Sequence, residues 1–332
     1  MPSSAPLVVL GEVKTCLLPS STALARAEAG ELLALMPGRD VAWRERPSSI
    51  AISPTTAVGV DCNVLMDHVA AQPDPVRVVG TVATRVVLAG GRILQSSAHT
   101  RIVRGEDHRR RPWSHYVSRK GVAEEIQLVA PDRPAVSAAM VAGYHGASAR
   151  ADVEDVLDLD SISRRLLGKI RSDPRLDQSP PVQGGTTRLR WTAVVGGSAG
   201  PDVQLHLDDE TVRSVRVIVR KESDLDAVQR FCEDLAAHDW LLTVVGDALD
   251  QADHFGTVSA DRLDILEPLV QHFSGLWMPG AHTPAALRAL WRDLQADPGF
   301  TRQWTTLRDR LRDNISVATL HALRHKDVGM EW

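Results

Sequence analysis

Between His99 and Lys120 the chain reads HTRIVRGEDHRRRPWSHYVSRK, with seven Lys or Arg, three His and only Glu106 and Asp107 as acids, a formal charge of +5. Arg101, Arg104, Arg109, Arg110, Arg111, Arg119 and Lys120 are of the type that neutralises phosphates, and Trp113 and Tyr116 of the type that stacks on bases. Cations interleaved with aromatic rings are how single-stranded nucleic acid is held. The two rings count because the whole chain has only 8 Trp, 2 Tyr and 4 Phe. The competing expectation is a solvated loop that docks on the acidic second half of the chain or on a partner protein. It carries more weight, because no recognised nucleic-acid fold accompanies the cluster.

Other residues come near to a motif. Gly196-Gly197-Ser198-Ala199-Gly200 matches GxSxG, the turn on which hydrolases carry a nucleophilic serine. Such an elbow needs a helix directly after the serine, so that a backbone N–H can stabilise the oxyanion. Pro201-Asp202 leads instead into Val203 to Leu207, which alternates like a strand, so a hairpin connection is expected and a serine hydrolase through Ser198 is the remote alternative. His321 and His325 stand four apart on an expected helix and share a face. A zinc protease needs Glu where Ala322 stands, and no third ligand is evident, so no metal site is expected. Asp152, Glu154, Asp155, Asp158 and Asp160 lack the glycine and closing Glu of a calcium loop and read as a charged helix start. Asp208-Asp209-Glu210 reads as a turn between strands. Cys16 and Cys232 fall in apolar segments, and Cys62 follows Asp61, an acid that raises a thiol pKa. No catalytic set and no cofactor is expected.

These residues must be positioned by the elements around them. Val76 to Ala89 and Arg92 to Arg104 flank Gly90-Gly91, the signal of a β-hairpin whose tight turn needs positive φ. Before it, 7–18 reads as one strand, long or bent at Gly11, and 23–36 as a helix stopped by Pro37-Gly38. Short strands are expected at 41–43, 50–52 and 57–60. After the hairpin the chain reads as a polar loop to Lys120, a strand at 126–129 and a helix from Asp132 to Gly146 with Pro134 in its first turn. The acidic stretch from 152 runs into a basic helix at 163–169, an order that suits the helix dipole. Pro174, Pro180, Pro181 and two glycines mark 173–185 as a linker. Strands follow at 187–195, 203–207 and 212–219, then a helix at 223–238, a strand at 240–245, and helices at 259–273, 283–295 and 300–323. The fold class is α+β. A β-rich domain with the diglycine hairpin is expected over 1–150, a helix and Pro/Gly linker over 151–185, and a second small α+β domain with a C-terminal helical cap over 186–332.

Of the 332 residues, 43% are hydrophobic and 24% charged, enough for a packed core and against a disordered or collagen-like chain. No apolar run approaches the ~20 residues that span a bilayer and no signal peptide opens the chain, so a cytoplasmic protein without a membrane role is expected. Three widely spaced cysteines argue against a disulfide framework. The formal charge of −4 conceals a split: residues 1–150 hold 17 basic and 13 acidic side chains, so +4, and 151–332 hold 21 and 29, so −8. The opening Gly11-Glu12-Val13-Lys14-Thr15-Cys16-Leu17-Leu18-Pro19-Ser20-Ser21 resembles that of an actinobacterial conserved-gene-cluster family with no assigned activity. That family's genes lie near a variant P-loop protein and a methyltransferase. The resemblance implies a component of a multi-protein system and assigns no residue a role. The leading expectation is a non-catalytic accessory protein that binds protein partners from its own gene cluster, with nucleic-acid binding through 99–120 as the alternative.

Overall fold

β1 (Val8–Leu17) is buried at every position, which a strand reaches only when both faces of its sheet are covered. Its even-numbered residues face one layer of helices. Val8 and Leu10 pack with Val136 and Met140 of α3 (Arg133–Gly146), and Cys16 packs with Leu33 of α1 (Arg26–Leu33) and Leu167 of α4 (Leu159–Arg171). Its odd-numbered residues face another layer: Val9 and Val13 meet Phe231 and Leu235 of α5 (Leu225–His254), and Leu17 meets Trp240 and Leu241 of the same helix. The computed structural model describes residues 6–67, 75–105, 109–126, 132–146, 154–196, 200–254, 260–273 and 275–328.

The other strands are β2 (Ala42–Arg44), β3 (Ile50–Ile52), β4 (Thr56–Leu65), β5 (Pro75–Ala89), β6 (Ile93–Arg104), β7 (Val122–Glu125), β8 (Thr187–Val195), β9 (Asp202–Leu207) and β10 (Val212–Val219). Among the described residues they form one mixed sheet in the order β2-β3-β5-β7-β6-β1-β8-β10-β9, with β4 also on β5, so the fold is α+β. The β5–β6 hairpin forms as its sequence dictates, turning through Gly90 and Gly91 at φ of +57° and +65°. β1 pairs antiparallel with β6 on one side and with β8 on the other. The sheet therefore runs without a break across the boundary expected between the 1–150 and 186–332 domains. The 173–185 stretch is anchored to its surroundings: Leu176 and Val182 are buried, Gln178 N–H donates to the Pro19 carbonyl, and Asp177 accepts from Ser21 N–H at 3.0 Å. β1 runs straight past Gly11 with an unbroken register.

Three expectations are corrected. The connection after β8 is no hairpin, because β8 pairs parallel with β10 and β9 pairs antiparallel with β10 at the sheet's edge. Burial sets that order: Val215, Val217 and Val219 of β10 are fully buried, whereas Gln204, His206 and Leu207 of β9 are exposed. The expected strand at 240–245 is the middle of α5, a helix of 30 residues whose central part is enclosed by the sheet, α6 (Ala260–Phe273) and α8 (Phe300–Val328). A helix buried all round loses the polar face that would reveal its period. The strand expected at 126–129 falls almost wholly on 127–131, outside the described residues; just before it the chain forms β7. The polar loop expected up to Lys120 contains a short helix, α2 (Trp113–Val117). The C-terminal helices form as read, with α7 (Arg288–Ala296) between α6 and α8. No helix among the described residues is long and apolar enough to cross a membrane.

Candidate functional site

The basic segment is distributed rather than gathered into one surface. Arg101, on β6, is ion-paired with Asp226 at the start of α5, and Arg119 with Glu124 of β7. Arg110 reaches Asp61 of β4 at 3.1 Å and lies over the Trp113 ring, 5.4 Å from its centroid. Arg104 and Arg111 also have side-chain partners or other interactions. Tyr116 is 2% exposed, its hydroxyl accepting from Arg111 N–H, so it presents no face to a base. Lys120 donates to the Thr55 carbonyl and Arg109 is exposed. What remains at the surface is one face of α2, where Trp113 is 42% and Val117 57% exposed, four residues apart on the helix.

Gly197, Ser198 and Ala199 lie outside the described residues, as do Asp152 and the side chain of His325. Burial pushes the Cys16 and Cys62 thiols up to about 11, with Asp61 adding to the rise at Cys62, and pushes Cys232 well above its ordinary value. Asp209 serves the β9–β10 turn, accepting from Thr211 N–H and Val212 N–H. No group of three or more metal-ligating side chains is found among the described residues.

A cleft of mixed polarity lies where α5 crosses the far end of the hairpin. Ile50 and Ile52 of β3, Val87 and Ala89 of β5, Ile93 of β6 and Leu276 form its apolar wall. Arg44 of β2, Ser48, Arg230, Glu233, Asp234 and His238 of α5, and His282 supply the polar side. The enclosed part has about 40 Å³ of room for water centres, enough for two or three waters.

Local bonding fixes these groups. Arg85 of β5 holds Glu233 with two bonds of 2.8 and 2.6 Å, the fork geometry that suits a carboxylate. Gln95 donates to the Glu233 carbonyl and to Thr15, tying α5 to the sheet. His238 accepts from Met278 N–H at Nε2, which puts its proton on Nδ1, and Nδ1 donates to the Asp234 carbonyl at 2.7 Å. Both nitrogens are satisfied, and burial lowers its pKa to about 4, so His238 is a neutral strut holding the 275–283 loop on α5.

Asp234 accepts from the Thr283 hydroxyl at 2.7 Å, and that hydroxyl accepts from the Trp291 indole N–H at 2.9 Å. Burial raises the Asp234 carboxyl to about 6, against the pull of Thr283 and His282. An acid whose folded pKa lies above its unfolded value stabilises below the unfolded pKa and loses that contribution as pH rises through the folded one. The window here runs from about 4 to 6. Asp234→Asn keeps an acceptor for Thr283 and cannot ionise. Its stability relative to wild type is expected to rise by up to about 3 kcal/mol between pH 4 and 7. Denaturant melts at both pH values read this directly, and a difference that does not change with pH removes Asp234 as the titrating group.

His282 bonds Ser48 Oγ through Nε2 at 2.9 Å, while its Nδ1 is buried with no hydrogen-bond partner. Arg44 donates to the His282 carbonyl. Arg230 makes no hydrogen bond or ion pair within the described structure, and burial together with Arg44 and Arg85 lowers its pKa. The cleft thus presents two guanidiniums that make no ion pair among the described residues, and it is bordered by His282, whose Nδ1 is buried without a partner.

No family model matches the chain. Nor does any curated protein or solved structure match it. The cleft therefore stands on its geometry. Sequence reasoning missed Arg44, Ser48, Arg230, Asp234 and His282 because they come from segments up to 238 residues apart. A local signal for this site is the placing of Glu233 and Asp234 between Phe231-Cys232 and Leu235-Ala236-Ala237 of α5.

Proposed function

We propose that this is a non-catalytic accessory protein of a multi-protein system, acting in the cytoplasm and docking a protein partner through the outer face of α2. The observation that carries the reading is the exposed Trp113, flanked by Val117 one turn away and capped by Arg110. Trp and Arg beside aliphatic surface are the residues that dominate binding energy at protein interfaces. Nearby Arg109 and Lys120 make no ion pair among the described residues, so an acidic partner surface with an apolar anchor suits this face. Nucleic acid suits it less, because Arg101, Arg110 and Arg119 already neutralise acids of the chain itself and Tyr116 is buried.

The test is pairwise co-purification of the full chain with the proteins encoded beside it, repeated with Trp113→Ala and Val117→Asp. Both side chains are exposed, so folding is expected to survive. Each change is expected to weaken the complex by about 2 kcal/mol or more. A complex indifferent to both changes sinks the reading, as does the absence of any partner. Binding to a single-stranded oligonucleotide that falls steeply with salt and vanishes when Arg109, Arg110 and Arg111 become Ala would replace it with the nucleic-acid alternative.

A further inference from the structure

We infer that the cleft between α5 and the β3–β5–β6 end of the sheet is a binding site for a small monocarboxylate with an apolar body, its carboxylate held by Arg230 and Arg44 and its body laid on Ile50, Ile52, Val87 and Ile93. The inference is independent of the docking face on α2.

Three observations support it. First, Arg230 is a half-buried guanidinium without an acceptor among the described residues, although the neighbouring Arg85 of β5 has a fork-matched carboxylate in Glu233. A folded chain leaves such a group unpaired only at a cost in desolvation and in repulsion from Arg44 and Arg85, and an anion in the cleft relieves both. Second, His282 borders the same cleft, bonded to Ser48 through Nε2, and its Nδ1 is buried with no hydrogen-bond partner. Third, the opposite wall is aliphatic, so a fully hydrated inorganic anion would leave it uncovered, whereas a short hydrocarbon would cover it.

The charge balance selects the class. Arg85 and Glu233 cancel. Arg44 and Arg230 contribute two positive charges, and Asp234 offsets one with its carboxylate engaged by Thr283. One positive charge is left over, which matches a monoanion. A phosphate dianion would overfill it beside Asp234. Guanidinium–carboxylate pairs are short, strong and oriented, so the head should fix the ligand and the limited enclosed space should restrict the length of its body.

The test is calorimetric titration of the full chain with acetate, butyrate, hexanoate and octanoate, with hexanamide as the uncharged twin and inorganic phosphate as the bare anion. Affinity is expected to rise along the series until the body outgrows the cleft, with hexanamide weaker than hexanoate by about tenfold or more. Arg230→Gln is expected to cost a similar factor. Since Arg230 makes no bond in the protein, that variant should melt no lower than wild type, which separates a lost site from a lost fold. Arg44→Gln provides a second variant with the same expected direction. Equal affinity for hexanoate and hexanamide overturns the inference. So does hexanoate binding unchanged in Arg230→Gln, phosphate binding with no dependence on acid chain length, or the absence of saturable binding by every acid in the series.

Discussion

Gly11→Val is expected to destabilise the protein by about 3 kcal/mol or more, enough to prevent accumulation of a folded chain if the wild type has ordinary stability. Gly11 sits on the central strand β1, directly between His99 of β6 and Trp191 of β8. The His99 and Trp191 side chains lie on the face of the sheet that carries α5, and the two rings close over the glycine with centroids 6.2 Å apart. A Cβ at residue 11 would lie 2.1 Å from the Trp191 ring, which is fully buried in the cluster around Phe231. The strand cannot retreat either, since both its edges are hydrogen-bonded along their length. Gly11→Ala should already be costly, and Gly11→Val should show the larger drop in urea midpoint. A Gly11→Ala protein melting within about 0.5 kcal/mol of wild type would mean that the ring moves aside freely and the argument fails.

The second large effect concerns the charges of the same strand. Glu12 is wholly buried and accepts from Arg188 of β8 at 3.0 and 2.7 Å and from Ser163 of α4 at 3.1 Å. Two residues on, Lys14 meets Asp160 of α4 at 2.6 Å, and Arg188 also reaches Asp160 at 3.2 Å. Burial raises the Glu12 pKa and Arg188 opposes the rise. Removing the guanidinium leaves a carboxylate with no cation on its oxygens in a site that excludes water. Arg188→Met is expected to cost about 3 to 5 kcal/mol at neutral pH. Because Glu12 can escape by taking up a proton, the deficit should shrink as pH falls through its raised pKa. Glu12→Gln should rescue part of the loss in the double variant. Strict additivity of the two substitutions in a denaturation cycle, within about 0.5 kcal/mol, would show that the pair is not coupled. The opening segment from Gly11 to Ser21 thus has a structural meaning: its glycine admits an indole, and its Glu and Lys clamp β1 to α4 and β8.

Much of the architecture could be read locally. Gly90-Gly91 between two apolar runs specified a hairpin because the positive φ it needs is a property of two residues. The α3 start at Asp132 to Pro134 and the helices from 260 onward were visible through caps and a one-sided apolar stripe. The strands at 187–195, 203–207 and 212–219 were placed by their own alternation or apolar content. Their order was not, since β8 prefers β10 over its neighbour in sequence for reasons of burial. The long α5 was split into a helix and a strand for a related reason: around Trp240 it is covered on all sides, so the polarity period that distinguishes helix from strand is absent.

The basic segment shows the same limit in electrostatics. By itself the sequence determined that seven cations fall within 22 residues. Only the tertiary structure decided what they do, pairing Arg101 with Asp226, Arg110 with Asp61 and Arg119 with Glu124 and burying Tyr116, so that an apparent phosphate-binding stripe is broken up by internal ion pairs around one exposed tryptophan. The cleft is the converse case. Arg44, Arg230 and His282 carry no common spacing, and nothing in the chain marks Arg230 as different from the other 32 arginines. Its distinction is that it borders the cleft without an acceptor, and whether a charge finds a partner depends on which distant segments the sheet and helices bring within a few ångströms of it.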